Sequence, residues 1–396
     1  MAQSLLRFRI AGAALFFVNG CLFATWVSRI PGVKHTLGLS ESELGLALLA
    51  LAVGALCAFP FSGWLIARRG SGLVSVAAGL AGCALLPLAG WAPDLPLLAI
   101  SLALFGACLG TMDVAMNSQA VEIERRYGRS IMASFHGLWS LGGLIGAAGG
   151  GLLAGADWSP LVHFLFVGAV LAGFTLAARP RLLPDSPEQA AGPVFALPTR
   201  ATLGLGVLAF CGAMVEGGVA DWSGVYLREA LGTGPGFAAA GFAAFSLAMT
   251  AGRLTGDRVI DRFGSVVPLR VGALLAAGAL ALGLLSAQPL ATVVGYACAG
   301  IGLSVVFPLV FGAAGRLKLD SQRTALVAVA TMGYGGGLAG PPIIGFAAST
   351  TSLGLALGIL VALCIVISWL ASHADRKALD DEDRIGCGGD VAVETR

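Results

Sequence analysis

Twelve apolar stretches, each of roughly 20 residues or more and so able to cross a ~30 Å hydrocarbon core as a helix, constrain this chain before anything else does. Pro, Gly and charged residues punctuate them at 9–31, 42–67, 72–91, 95–121, 130–154, 159–178, 201–227, 236–259, 267–287, 290–315, 323–348 and 352–372. In lipid every backbone N–H and C=O must be satisfied inside the segment, so these stretches are expected as helices. Composition leaves no soluble alternative. Only 12% of residues are charged and 57% are hydrophobic, whereas soluble domains run near a quarter charged. The expected fold class is an all-α integral membrane protein with twelve transmembrane helices.

The start, "MAQSLLRFRI", is basic and leads into an apolar run that continues past Trp26 to Pro31. A signal peptide needs a short apolar core and a small-residue cleavage site, so this run is read as a retained first helix. Ser40, followed three residues later by Glu43, is a capping signal for the second helix. The eight cysteines show no CxxC spacing, which signals neither zinc nor a disulfide framework. A net charge of +2 is too small to suggest nucleic acid.

Orientation follows from Lys and Arg. With twelve spans, all of the 24 fall on one side except Arg29, Lys34 and Arg228. A wrong span count would mix the two groups. The reading is therefore a multi-pass protein of the inner (cell) membrane with both termini cytoplasmic.

The halves repeat each other at an offset of 194 residues. "ARRG" at 67–70 falls on "DRFG" at 261–264, Arg129 on Arg323, and "GLIG" at 143–146 on "GLAG" at 337–340. One offset serving three places implies two homologous bundles facing each other across a central cavity, the parallel-repeat plan of many transporters. The divisions are a bundle at 1–178, a proline-rich cytoplasmic linker at 179–200, a second bundle at 201–372 and a flexible tail at 373–396.

The "ARRG" and "DRFG" loops resemble the GxxxDRxG loop of the major facilitator superfamily, with Ala67 in place of the first aspartate. The resemblance implies a cytoplasmic latch built from Arg68, Arg69, Asp261 and Arg262. Glu122 and Glu124, beside Arg125 and Arg126 at a helix end, are candidate acceptors for Arg68 or Arg69, or a solvated charge cluster. It also implies that helices one, four, seven and ten surround the cavity. "GTMDVAMN" in the fourth helix and "EGGVADWSGVYL" in the seventh resemble the branch containing fucose permease, a proton-coupled sugar symporter. In that branch a helix-four carboxylate and an asparagine four residues later serve proton coupling and sugar binding, and Asp113 and Asn117 match them.

The residues themselves point the same way. Asp113 lies about 18 Å before the helix end at Arg125 by the 1.5 Å rise, close to mid-bilayer, and Asn117 shares its face. A carboxylate there costs about 2.5–3.5 kcal/mol and is normally turned to a wet interior. The alternative is that the two only tie helices together. Glu216 is equally central. Asp221 is nearer the periplasmic end, where it is free to pair with Arg29 or Arg228. On a helix the two acids differ in direction by roughly 140°. Asn19 is a candidate substrate contact or helix glue. Trp222 is a candidate stacking partner for a sugar ring or an interfacial anchor. His136 is a candidate polar contact or proton relay, or a buried neutral ring.

No GxxxxGK[ST], HExxH or GxSxG occurs, so neither ATP nor hydrolytic chemistry is signalled. No cofactor is expected and the chain is not read as an enzyme. Removal from water favours the neutral form of a carboxyl group, which lets it carry a proton between two sides. Asp113 is expected as that carrier and Glu216 as a second. Asn117, Asn19, Asp221, Trp222 and His136 are the candidate substrate contacts. No Lys or Arg is expected near mid-bilayer, so an anionic cargo lacks a partner. The expected partners are protons, a small neutral polar solute and the lipid bilayer, with the chain acting as a monomer. A proton-antiport exporter of cationic drugs and a transport-silent receptor are the alternatives.

Overall fold

The computed structural model describes residues 2–128, 131–184, 197–315 and 319–374. Arg129, residues 185–196 of the expected linker, Arg316, Lys318 and the tail from 375 lie outside the described residues. The first six spans are α1 (Ala2–Leu37), α2 (Glu41–Arg69), α3 (Ser71–Trp91), α4 (Leu95–Tyr127), α5 (Met132–Gly155) and α6 (Pro160–Ala178). The seventh is α7 (Arg200–Val225), which widens into a π-turn, Tyr226–Ala230. Two spans are interrupted: the eighth is α8 (Pro235–Ala238) with α9 (Ala240–Phe263), and the tenth is α11 (Pro289–Leu303) with α12 (Val306–Ala314). The ninth, eleventh and twelfth are α10 (Val266–Ser286), α13 (Leu319–Thr350) and α14 (Leu353–Leu370). Among the described residues, eleven spans are apolar and long enough to cross a membrane. The remaining one, α13, has 32 residues, enough for about 48 Å of helix.

Local signals set these boundaries. Ser40 Oγ accepts from Glu43 N at 3.3 Å and Glu43 Oε2 accepts from Ser40 N at 2.9 Å, closing the capping box at the start of α2. Asp94, Ser159 and Ser352 cap α4, α6 and α14 in the same way, each accepting from the backbone N–H three residues on. Within each half, short turns separate the spans, which makes sequential neighbours antiparallel.

The repeat is visible in three dimensions. Gly70 and Gly264 each end a helix with φ of 82° and 75°, values that favour glycine. Each donates its N–H to the carbonyl four residues back, Ile66 and Ile260, at 2.8 Å. Packing repeats as well: α1 lies on α5 as α7 lies on α13, and α2 on α4 as α9 on α11. A Cβ on Gly106 would strike the carbonyl oxygen of Leu51, and one on Gly300 that of Phe245. Both pairs keep the offset of 194. Close backbone approach through small residues substitutes for the hydrophobic drive that lipid does not supply.

The two bundles meet along two seams, α2 against α13 and α5 against α9. On the side opposite the arginine-rich helix ends, both seams are shut. A Cβ on Gly345 would lie 2.6 Å from the carbonyl oxygen of Glu41, and one on Gly151 2.9 Å from that of Gly236. Lys34 of α1 adds a bridge between the halves, 2.6 Å from Glu229 and 3.5 Å from Glu41. On the arginine-rich side the bundles part around a cavity.

Candidate functional site

Two connected spaces lie between the halves. The outer cavity, about 1260 Å³, has Arg68, Arg69, Arg125 and Arg179 in its walls and so opens on the arginine-rich side. The inner chamber, about 410 Å³, lies deeper, between α1, α2, α7, α12 and α13. Phe311 and Tyr334 line both and form the partition. The Phe59 and Tyr334 rings meet across the α2/α13 seam with centroids 4.7 Å apart. Helices α1, α4 and α7 and the α12 half of span ten supply walls, as the resemblance implies, but α2, α5 and α13 contribute as well.

Asp113 lines the outer cavity with Asn117, one turn further along the unbroken α4. Asn117 Nδ2 donates to Asp113 Oδ1 at 3.2 Å and to its backbone carbonyl at 2.9 Å. Among the described residues no cation pairs with Asp113. His136 faces the same space. It is exposed rather than a buried ring, and its edge packs on Phe16 with centroids 5.3 Å apart.

The two acids of α7 part company, as their 140° separation requires. Asp221 lines the inner chamber, whereas Glu216 does not. Glu216 turns to α9, where its Oε1 lies 3.5 Å from Arg253 Nη2. Arg253 Nη1 donates to Ser140 Oγ on α5 at 3.4 Å, across the second seam. This corrects the expectation that no Lys or Arg lies near mid-bilayer. Arg253 is ten residues before the end of α9, about 15 Å along it, and it reaches the depth of Glu216.

Other expectations are corrected by burial and pairing. Asn19 lines neither space. It is 5% exposed, donates to Leu109 O at 3.2 Å and accepts from Trp139 Nε1 at 2.9 Å. It ties α1 to α4 and α5 instead of meeting a solute. Trp222 is fully buried and packs beside Gly345 on the shut side, so it neither faces a cavity nor anchors at an interface. Asp221 does not pair with Arg29 or Arg228. Arg29 donates to the carbonyl of Trp158, and on the shut side the bridge between the halves joins Lys34 to Glu229 instead.

The expected latch is open. Glu122 binds Arg125 and Arg126 of its own helix, each at 2.8 Å. Glu124 Oε2 accepts from the N–H groups of Ile131 and Met132 at 2.6 and 2.8 Å and so caps α5. Arg68 lies over the Trp64 ring at 4.5 Å and Arg262 over Phe263 at 5.6 Å. Arg69 and Asp261 are exposed. Because the bundles are parted on this side, the opposing ends are out of reach of one another.

Sequence reasoning missed Tyr334, Phe59, Phe307, Phe311, Arg253 and the Lys34–Glu229 bridge. A signal existed for some. The offset of 194 aligns Tyr334 with Ser140 and Phe59 with Arg253, and Phe59 meets Tyr334 across one seam as Arg253 meets Ser140 across the other. The same offset aligns Phe307 with Asp113 and Phe311 with Asn117, so the ring positions on α12 carried that signal too.

Two bundles related by a repeat, around a space open on one side and closed on the other, define a membrane transporter. The sequence profile of the Major Facilitator Superfamily matches residues 12–341 and, in a second alignment, 226–384. An uncharacterised MFS-type transporter of Yersinia pestis is 37% identical over 361 residues, covering 91% of this chain and 94% of the relative. A bacterial homologue of the human lysosomal transporter Spinster, solved inward-facing and unoccupied, superposes with a TM-score of 0.72 at 16% identity, over 96% of this chain and 98% of that one. The Escherichia coli fucose:proton symporter FucP gives a TM-score of 0.63 at 17% identity, over 93% of this chain and 98% of that one. The chain belongs to the major facilitator superfamily and carries small molecules across a membrane.

Proposed function

We propose that this chain is a proton-coupled secondary transporter of a small, neutral, polar, sugar-like solute. It would act as a monomer in the cell membrane with both termini cytoplasmic. The observation that carries the reading is Asp113. It is a carboxyl group at mid-span on the wall of a cavity between two repeated bundles, with an amide and no cation beside it. Such a group takes up a proton while the cavity faces one side and releases it when the halves rock to face the other. Asn117 and His136 supply hydrogen bonds to the solute in the same space. Glu216 is the weaker candidate for coupling, since Arg253 already neutralises it. Arg68, Arg69, Asp261 and Arg262 latch the arginine-rich side when it closes, with Glu122 and Glu124 released from their present partners. A second reading, transport of an organic cation, is favoured by Asp221 in the inner chamber.

The test is reconstitution into vesicles with an imposed pH gradient, candidate sugars and organic cations, and Asp113→Asn beside the wild type. The variant is expected to lose uphill accumulation and keep exchange. Accumulation by Asp113→Asn equal to the wild type would overturn the carrier role.

A further inference from the structure

The inner chamber holds a charge that its own walls leave unanswered. Asp221 projects into a space walled by Phe23, Phe59, Phe307, Phe311 and Tyr334 and otherwise almost wholly apolar. No Lys, Arg or His among the described residues lines that space. Among the described residues Asp221 makes no hydrogen bond and no ion pair. Three basic side chains of the neighbouring helices are engaged elsewhere: Arg253 with Glu216 and Ser140, Lys34 with Glu229 and Glu41, and Arg29 with the carbonyl of Trp158.

An ionised carboxylate in apolar surroundings costs several kcal/mol unless it takes up a proton or a counter-charge meets it. Aromatic rings add to the same preference, because the negative face of each π-system attracts a cation within about 6 Å. A neutral polyol would meet only a carboxylate and a phenol here, and its other hydroxyls would surrender water without replacement. An anion would meet repulsion. At about 410 Å³ the space lies at the small end of ligand pockets, which run about 300–1,000 Å³. Phe311 and Tyr334 separate it from the outer cavity, so a ligand would arrive by way of Asp113 and pass an aromatic partition.

We propose that the inner chamber is a binding site for a monovalent organic cation with an apolar body, a quaternary or protonated amine. Asp221 is its counter-ion and the surrounding rings are its cage. This rests on the second of the two cargo readings and is independent of proton carriage by Asp113.

The experiment is equilibrium binding of phenyltrimethylammonium to the purified full-length protein in detergent, by calorimetry, with no gradient present. This probe cannot lose its charge, and tert-butylbenzene is its uncharged isostere of the same shape. Expected results are saturable binding of the cation and at least about tenfold weaker binding of the isostere, the loss of a desolvated ion pair and its cation–π contacts. Asp221→Asn should also weaken cation binding at least about tenfold, while Gly63→Ala, at a position that lines neither space, leaves it within about twofold. No saturable cation binding by the wild type, equal binding of the isostere, or unchanged binding by Asp221→Asn would overturn the proposal. The isostere comparison needs no variant, so it decides even where Asp221→Asn fails to fold. Because vesicle accumulation by Asp113→Asn is read separately, failure of the cation site and failure of proton coupling are distinguishable.

Discussion

The two halves share a backbone plan and differ in what they present to the space between them. At the offset of 194 residues, Asp113 and Asn117 of α4 correspond to Phe307 and Phe311 of α12. The first pair gives the outer cavity a carboxyl and an amide linked at 3.2 Å. The second gives the inner chamber two rings stacked with centroids 6.1 Å apart. The seams diverge in the same manner. Phe59 and Tyr334 close one with aromatic contact, while their counterparts Arg253 and Ser140 close the other with a hydrogen bond. Backbone positions that set helix approach, such as Gly106 and Gly300, are duplicated, because either bundle fails to pack without them. Positions facing the cavity are released from that demand, and at 113/307 and 117/311 they are polar in one half and aromatic in the other. The difference teaches that scaffold and chemistry are separable here, and that the ligand meets two unlike walls.

The comparison can be broken first at the scaffold. Gly106→Val and Gly300→Val should each destabilise by about 3 kcal/mol, the upper range for overpacking, read as similar drops in thermal melting in detergent. Gly63→Ala, where a Cβ meets nothing within 4 Å, should change stability by less than about 0.5 kcal/mol. A large effect in only one half would refute equivalence.

Next comes the polar seam. Arg253→Met or Glu216→Gln alone leaves an unpaired charge, and should cost about 2 kcal/mol, below the 3–5 kcal/mol of fully buried pairs. The side chains are 22% and 24% exposed, which moderates the effect. The double variant should recover most of the loss. Phe59→Leu at the aromatic seam should cost about 1 kcal/mol. A double variant as unstable as the sum of the singles would show that the ion pair is not a unit.

The wall chemistry follows. A one-unit pH gradient is worth 1.36 kcal/mol per proton, about tenfold accumulation. Asp113→Asn should bring the accumulation ratio to about one, and Phe307→Leu should leave it within about twofold of wild type, since only the first removes a proton site. Equal losses would erase the division of labour between the halves.

The smallest effect belongs to the shut side. Lys34→Met removes the bridge to Glu229 and Glu41. It should shift the balance towards opening there by about 1 kcal/mol, roughly fivefold in population. Spin labels at positions 38 and 232 would report a longer-distance population. An unchanged distribution would leave the glycine contacts as the whole of the closure.

The amino-acid sequence by itself determined the twelve spans, the repeat and a carboxyl group at mid-membrane. Apolar length, capping residues and the excess of arginine at alternate ends are local quantities, and lipid leaves a buried backbone few options. Tertiary structure alone decided which polar residue faces what. Glu216 and Asp221 share one helix, yet its rotation against α9 and α12 sends the first to Arg253 and the second into the inner chamber. Asn19 looked as central as Asp113 but is consumed in joining α1 to α4 and α5. Among the described residues, those expected to form the latch make no ion pair across the halves because the bundles are parted on their side, a choice of conformation that hydropathy does not encode. Side-chain facing depends on helix rotation and on the angle between rigid bundles, and both are set by contacts between residues far apart in the chain.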